Sequence, residues 1–126
     1  MNHLFCFGLG FSARALVARL DRRDWRVTAT CRDAASRGEL KAMDVSPVAF
    51  DGTGPLPDGA LDGVTHLLLS IPPGNEGDPV LSACLGQVAE SAGQVLWAGY
   101  LSTTGVYGDR QGGWVDEDSE LAPTTE

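Results

Sequence analysis

The spacing of apolar residues changes repeatedly along the chain, and each change marks a predicted element of secondary structure. Short, nearly continuous apolar runs, which are typical of buried strands, occur at 3–7, 26–31, 47–50, 65–71 and 94–101. Apolar residues at helical spacing occupy the stretches 12–23, 34–43 and 78–92. Gly38 weakens the second of these helices. The connection at 51–63 is rich in turn residues and leaves no room for a good helix.

The order of these elements predicts the fold class. Ser12 is the predicted N-cap of the first helix, and Asp78 and Pro79 are the predicted N-cap and first residue of the third. Almost wholly apolar strands that alternate with helices are typical of a parallel sheet covered on both faces. We therefore predict an α/β protein with a doubly wound, Rossmann-like parallel sheet of about five strands.

Composition and charge limit the classes of binding partner that this chain is expected to have. The chain has 126 residues, of which 43% are hydrophobic and 21% charged, as expected for one ordinary globular domain. Its net charge is −8, and the acidic residues concentrate in 109–126, where Arg110 is the one basic residue. This balance argues against nucleic acid or an anionic membrane as the main partner.

The cysteines and histidines indicate neither disulfides nor a metal. Cys6, Cys31 and Cys84 lie far apart in apolar surroundings, which is typical of buried free thiols in a reducing cytoplasm. His3 and His66 do not lie at metal-ligand spacing, so we predict no metal site. The expected location is therefore cytoplasmic.

A glycine motif follows the first predicted strand. Residues 8–13 read Gly-Leu-Gly-Phe-Ser-Ala, the G-x-G-x-x-A pattern of a dinucleotide-binding loop. Gly8 permits the tight turn, Gly10 lacks the Cβ that would block a pyrophosphate, and Ala13 lets the helix pack closely. Phe11 and Ser12 complete the loop, whose helix N-terminus offers N–H donors. The alternative is a tight turn that binds nothing.

The end of the second strand bears on the choice of coenzyme. An acidic residue about 20 residues beyond the glycines would bind the ribose 2′-hydroxyl of NAD. The chain instead has Arg32 there, and a cation suits the 2′-phosphate of NADP. Arg14 and Arg37 are candidates to extend this pocket. Asp33 keeps NAD open as the second choice.

Together with these features, the run Ser-Thr-Thr-Gly-Val-Tyr-Gly-Asp at 102–109 resembles the extended short-chain dehydrogenase/reductases, the NAD-dependent epimerase/dehydratase family. The likeness covers the whole chain but only the N-terminal part of that family's fold. It implies that Thr103 is the catalytic Ser/Thr that holds the substrate oxygen, and that Asp51 lies near the adenine. It also implies coenzyme-ribose contacts for Ser70, Ile71 and Pro72. The alternative is that the hydroxyls at 102–104 satisfy backbone groups at a strand end.

The family's acid/base pair, Tyr-x-x-x-Lys, is absent from these 126 residues. The one lysine is Lys41, and neither Tyr100 nor Tyr107 has a lysine four residues later. In the family the pair follows an acidic segment like 109–126, so we expect a dinucleotide-binding domain at 1–108 and a loop at 109–126 that leads to a missing C-terminal part. A sheet ending at its fifth strand would expose an edge and apolar surface. Atypical relatives without the pair keep open a complete chain that binds coenzyme.

Three functions are compatible with these sequence features. The first is the NADP-binding portion of an oxidoreductase or epimerase that transfers hydride at a C–O centre, with Thr103 orienting the oxygen of a small-molecule substrate. The resemblance implies nucleotide-sugars as the common substrate class and a homodimer through the helix at 78–92. The second is a non-catalytic dinucleotide-binding sensor or regulatory module. The third is a flavodoxin-like or receiver domain, which shares the alternating pattern.

Overall fold

Strands and helices alternate along the chain, of which the structure, a computed structural model, describes residues 1–124. The strands are β1 (Asn2–Phe7), β2 (Trp25–Cys31), β3 (Ser46–Ala49), β4 (His66–Leu69) and β5 (Trp97–Tyr100). The helices are α1 (Phe11–Val17), α2 (Ala34–Ala42) and α3 (Pro79–Ser91), and a 3₁₀ helix follows at Thr104–Tyr107. Glu126, the last residue of the predicted acidic loop, lies outside the described residues.

All five strands are parallel and form one sheet in the order β3-β2-β1-β4-β5. Leu4 of β1 pairs with Val27 on one side and with His66 on the other, so β1 lies at the centre. The strand order reverses between β1 and β4, as in the Rossmann fold. Flavodoxin-like and receiver domains have the order 2-1-3-4-5, so the third functional alternative is wrong.

The two faces of the sheet carry separate apolar layers, because successive side chains of a strand point to opposite faces. On one face, Leu4 and Cys6 pack with α1 and α2. On the other, Phe5 and Phe7 pack with α3 and with the connection at 50–64, and both phenylalanines have no exposed surface. Each buried phenylalanine contributes about 1.5–3 kcal/mol of transfer free energy. This confirms the predicted sheet with helices on both faces.

The first helix differs from the prediction at both ends. It ends at Val17 rather than at residue 23, since the chain then tightens into turns in which Leu20 N–H donates to the Val17 carbonyl at 3.2 Å. A further turn at Asp21 leads into β2. The Asp21 carboxylate accepts a hydrogen bond from the backbone N–H of Arg23 at 3.0 Å, and the Asp21 carbonyl accepts from Trp25 N–H at 3.0 Å. Such local bonding by aspartate competes with helix continuation. Ser12 is not the N-cap: Gly10 is, and no side chain caps this helix.

The third helix begins as predicted but is not regular throughout. The Asp78 side chain accepts hydrogen bonds from the backbone N–H groups of Val80 and Leu81, and Pro79 is the first helical residue. Cys84 interrupts the helix with non-helical dihedral angles, φ −142° and ψ 25°. All three cysteines are free and buried, as predicted. Burial raises the pKa of the Cys6 thiol to about 12.

The exposed edge predicted for the fifth strand is present. Within residues 1–124, β5 pairs with β4 alone, and apolar side chains around it are exposed, among them Leu96 and Trp97. The acidic loop that follows folds back on the 3₁₀ helix, where the N–H of Ala122 donates to the carbonyl of Val106 at 2.8 Å. No helix among the described residues has the length and apolarity needed to cross a membrane.

Candidate functional site

The predicted coenzyme-binding residues lie at the carboxyl ends of the strands. Parallel strands place their carboxyl ends together, and ligands of open α/β sheets bind where the strand order reverses. The glycine loop follows β1, Arg32 follows β2, Asp51 comes soon after β3, and Ser70 to Pro72 follow β4. The topology therefore gathers these segments around the point between β1 and β4.

Gly8 is required by the fold itself. Its φ of +81° lies in the region that side chains disfavour. A Cβ built at Gly8 would lie 3.1 Å from Ile71 Cγ1 and 3.3 Å from Ser70 Oγ. The loop is also held by hydrogen bonds, since Gly8 N–H donates to Thr30 Oγ1 at 2.8 Å and Ser70 Oγ–H approaches the Phe7 and Gly8 carbonyls at 3.1 Å. Gly8 thus fixes the loop against β2 and β4.

Gly10, in contrast, is not required by any contact within the described chain. Its φ is −78° and its ψ −167°, an extended conformation open to any residue. A Cβ built there meets no atom within 4 Å. The space that a side chain would occupy is open, as a loop needs if its backbone is to approach a pyrophosphate.

The neighbours of Gly10 divide between the surface and the core. Phe11 is 91% exposed and Ser12 is also exposed, so both side chains lie at the surface beside the loop. Ala13 is buried with 1% exposure, which agrees with close packing of α1 on the sheet. The motif thus has two fixed residues, Gly8 and Ala13, on either side of an accessible segment.

A cavity of about 300 Å³ is connected to this loop through Ile71, which contacts Gly8, although no residue of 8–13 lines it. It brings together three predicted coenzyme residues, Arg32, Ile71 and Pro72, and Gly52 next to the predicted Asp51. The rest of its lining was not predicted and consists of Gly74, Asn75, Glu76, Gly77, Pro79 and Ser82. Gly74 and Gly77 exchange two backbone hydrogen bonds of 2.9 and 3.0 Å, which close this turn at the start of α3. Two prolines and two glycines at 72–77 are the sequence signal for that turn.

The two carboxylates near Arg32 both accept hydrogen bonds from residues close to them in sequence. Asp33 Oδ1 accepts a hydrogen bond from Ser36 N–H at 2.8 Å as the N-cap of α2, and this bonding lowers the pKa of Asp33. Asp51 accepts from the hydroxyl of Thr53 at 2.7 Å and from its N–H at 2.9 Å. These bonds, with a smaller contribution from the charge of Arg32, lower the pKa of Asp51.

Arg32 itself forms no ion pair within the part of the chain that the structure describes. Asp33 beside it is also exposed, and its carboxylate is held as the cap of α2. The end of β2 therefore presents both a cation and a carboxylate, the two groups on which the choice between NADP and NAD depends.

Arg14, which the sequence offered as a further residue of this pocket, has other partners. Its Nε–H donates to the carbonyl oxygen of Leu9 at 3.0 Å, and its Nη2 lies 2.8 Å from Glu39 Oε2. Arg14 is also not among the residues that line the cavity. Its charge is therefore paired at the outer side of the glycine loop.

Thr103, the predicted catalytic residue, lies at an exposed position beyond β5. Its Oγ1 accepts a hydrogen bond from Gly105 N–H at 3.1 Å, so that it caps the 3₁₀ helix. This is the backbone contact that the alternative interpretation of the hydroxyl run expects. A hydroxyl also has one proton to donate, and no acceptor for it lies among residues 1–124.

Two other cavities lie away from these residues. One, of about 320 Å³, lies at the amino ends of β4 and β5, where Asp58, Asp62 and Glu90 make it acidic. The other, of about 310 Å³, is apolar and contains His66 between Trp25 and Trp97. Neither is lined by a predicted coenzyme-binding residue.

Neither a protein-family model nor a curated protein matches this chain. Among solved structures, the chain is similar to a functionally unknown conserved protein from Silicibacter pomeroyi, with 43% sequence identity and a TM-score of 0.83. The match covers 100% of this chain and 43% of the Silicibacter protein. The chain thus spans less than half the length of that protein.

Two further solved structures share the fold at 18% identity. One is a variant of SsCR with a TM-score of 0.62, and the other is a reductase engineered to attenuate substrate inhibition, with a TM-score of 0.60. Each match covers 84% of this chain and 38% of the other chain. At this level of identity the likeness shows the Rossmann-like fold alone.

Proposed function

We propose that this chain is the NADP-binding portion of an oxidoreductase that resembles the extended short-chain dehydrogenase/reductases. The observation that carries the proposal is the arrangement at the carboxyl ends of β1, β2 and β4. There, open space faces Gly10, and the adjoining cavity contains Arg32, Ile71 and Pro72. A turn with no ligand would have no need of a glycine at position 10, because the fold leaves room for a side chain there.

The residues present suit each part of the coenzyme. The loop from Gly8 to Ala13 would hold the pyrophosphate through backbone N–H groups, and Arg32 would pair with the 2′-phosphate. Asp51 would lie on the adenine side, and Ser70 to Pro72 would line the ribose. Arg32, with its exposed charge, favours NADP over NAD. When bound, a nicotinamide coenzyme supplies the carbon that gives or accepts hydride.

Thr103 would orient the substrate. Its hydroxyl oxygen already accepts from Gly105 N–H, which fixes the oxygen and leaves the proton to donate to a substrate oxygen. The substrate would be a small molecule with a C–O centre, with nucleotide-sugars as the class that the family resemblance suggests. A reductase is among the solved structures that share this fold at 18% identity. A homodimer through α3 and a cytoplasmic location belong to the same proposal.

The second candidate is a non-catalytic dinucleotide-binding module. The observation that favours it is the absence of a Tyr-x-x-x-Lys pair from these 126 residues. Without a nearby cation, a tyrosine has a pKa near 10 and is a poor base at neutral pH. Both candidate functions place the coenzyme at the same site, so a measurement of catalytic turnover is needed to distinguish them.

Coenzyme binding is tested by titrating the chain with NADPH and NADH at one fixed salt concentration. We expect NADPH to bind more tightly than NADH, and Gly10→Val to abolish binding of both while the fold stays intact. Gly38→Ala is the matched control, because a Cβ at Gly38 also meets no atom within 4 Å but lies on α2. Binding by Gly10→Val equal to that of the parent would mean that residues 8–13 form only a turn. Equal affinity for the two coenzymes in the parent would contradict the NADP assignment.

A further inference from the structure

Arg14 connects the glycine loop to the second helix. Its Nε–H donates to the Leu9 carbonyl at 3.0 Å, and its Nη2 lies 2.8 Å from Glu39 Oε2 on α2. The Arg14 side chain is 44% exposed and that of Glu39 is 60% exposed. An exposed ion pair of this kind contributes little to the stability of a fold. The role of Arg14 therefore has to be sought in the groups that it holds in place, and not in the stability that it adds.

The bond to Leu9 acts on the peptide unit between the two glycines. A trans peptide is planar, and its N–H points opposite to its C=O. Holding the Leu9 carbonyl toward Arg14 therefore turns the N–H of Gly10 to the other side of the loop. Without this restraint the Leu9–Gly10 peptide could rotate, because Gly10 has neither a Cβ nor a nearby side chain to limit it. A rotated peptide would direct a carbonyl oxygen where an anion is to bind.

We propose that Arg14 is a positioning residue of the glycine loop, which holds the Leu9–Gly10 peptide so that the Gly10 N–H faces a bound pyrophosphate. Glu39 anchors the guanidinium group in this role. The proposal rests on the proposed coenzyme binding and adds a residue outside the G-x-G-x-x-A pattern to the site. The competing explanation is that Arg14 acts only as a positive charge near an anionic ligand.

The test uses Arg14→Lys and Arg14→Met, each titrated with NADPH and with adenosine 2′-monophosphate, which has no pyrophosphate. Lysine keeps the charge but lacks the guanidinium fork that reaches Leu9 and Glu39 together. We expect both variants to bind NADPH about three- to tenfold more weakly, the loss of one hydrogen bond, and to bind adenosine 2′-monophosphate like the parent. Arg19→Met, which removes an exposed arginine just beyond α1, is the matched control, and we expect less than about a twofold change.

A second measurement needs no ligand. We expect the NMR order parameter of the Gly10 amide to be lower in Arg14→Met than in the parent, since the peptide is released, with no change at amides of β1. Parent affinity for NADPH in Arg14→Lys, or an unchanged order parameter at Gly10 in Arg14→Met, would overturn the positioning role while leaving coenzyme binding in place. A parent chain that binds no NADPH would overturn the proposed function, and the role of Arg14 with it.

Discussion

The hydroxyl of Tyr100 donates a hydrogen bond of 2.7 Å to Oδ2 of Asp78, while Oδ1 of the same carboxylate accepts from the first turn of α3. One aspartate thus caps the helix and ties it to the last residue of β5. The turn at 74–77, which lines the candidate coenzyme cavity, immediately precedes Asp78. The bond between Tyr100 and Asp78 therefore fixes one wall of that cavity to the sheet.

This link predicts coupling between two substitutions. Asp78→Ala removes both the helix cap and the acceptor of Tyr100, so we expect it to cost about 1–2 kcal/mol of unfolding free energy. Tyr100→Phe removes the hydrogen bond alone, at a cost of about 0.5–1 kcal/mol. In a double-mutant cycle by urea unfolding, the coupling should be about 0.5–1 kcal/mol. Additivity within about 0.3 kcal/mol would show that the hydrogen bond contributes nothing.

Arg32 should determine the choice of coenzyme. Arg32→Asp replaces a partner of the 2′-phosphate with a carboxylate that repels it and accepts from a ribose 2′-hydroxyl. We expect NADPH to bind at least about tenfold more weakly, and NADH to become the preferred coenzyme, when both are titrated at low salt. Arg19→Asp makes the same change in net charge at an exposed position just beyond α1 and should leave the preference as it is. If Arg19→Asp shifts the preference equally, net charge rather than Arg32 selects the coenzyme.

The sequence predicted the fold well because its strands are locally encoded. The apolar run of β1 and the capping pair of Asp78 and Pro79 each act within a few residues, so both were confirmed in the structure. The end of α1 was missed because apolar spacing continues to Leu20, whereas the backbone forms turns after Val17 and Asp21 bonds locally before β2. Helical spacing does not register such a competing hydrogen bond.

The site was predicted less completely, because some of its contacts join distant parts of the chain. The sequence identified Gly8, Gly10 and Arg32 from their positions relative to two strands. It did not indicate that Thr30 would bond Gly8 across the sheet, or that Glu39 would draw Arg14 away from the pocket. These contacts depend on how β2 and α2 are placed against the loop, which local pattern does not specify.

His3 should make the stability of the fold depend on pH. Its Nδ1 lies 2.9 Å from a guanidinium nitrogen of Arg26, which can only donate, so Nδ1 accepts. Nε2 then carries the proton and donates to the hydroxyl of Thr28 at 2.8 Å. The ring is buried, and burial, followed by the charge of Arg26, lowers the pKa of His3 below its ordinary value of 6.5.

The fold should become less stable as the pH decreases, because the unfolded chain binds a proton at His3 more readily than the folded chain does. Below about pH 6.5 the unfolded chain takes up a proton at His3 that the folded chain does not, so stability falls as the pH decreases toward the lowered pKa. We expect the unfolding free energy of the parent to fall between about pH 7.5 and 5.5, and that of His3→Gln to fall less. Equal slopes in the parent and His3→Gln would mean that folding does not lower the pKa of His3.

Substitution of Gly8 should lower the stability of the fold, whereas substitution of Gly10 should weaken coenzyme binding alone. Gly8→Ala must place a side chain at a φ of +81° and within 3.1 Å of Ile71, so we expect it to cost about 1–3 kcal/mol of unfolding free energy. Gly10→Ala meets open space at an ordinary φ, so we expect its unfolding free energy to stay within about 0.5 kcal/mol of the parent. Urea unfolding of the two variants measures this difference.

Titration with NADPH should rank Gly10→Ala below the parent despite its intact stability, because its new methyl group lies where the pyrophosphate approaches the backbone. A stable Gly10→Ala that binds NADPH like the parent would remove the reason for a glycine at this position, and a Gly10→Ala as unstable as Gly8→Ala would show that the fold, and not a ligand, requires it.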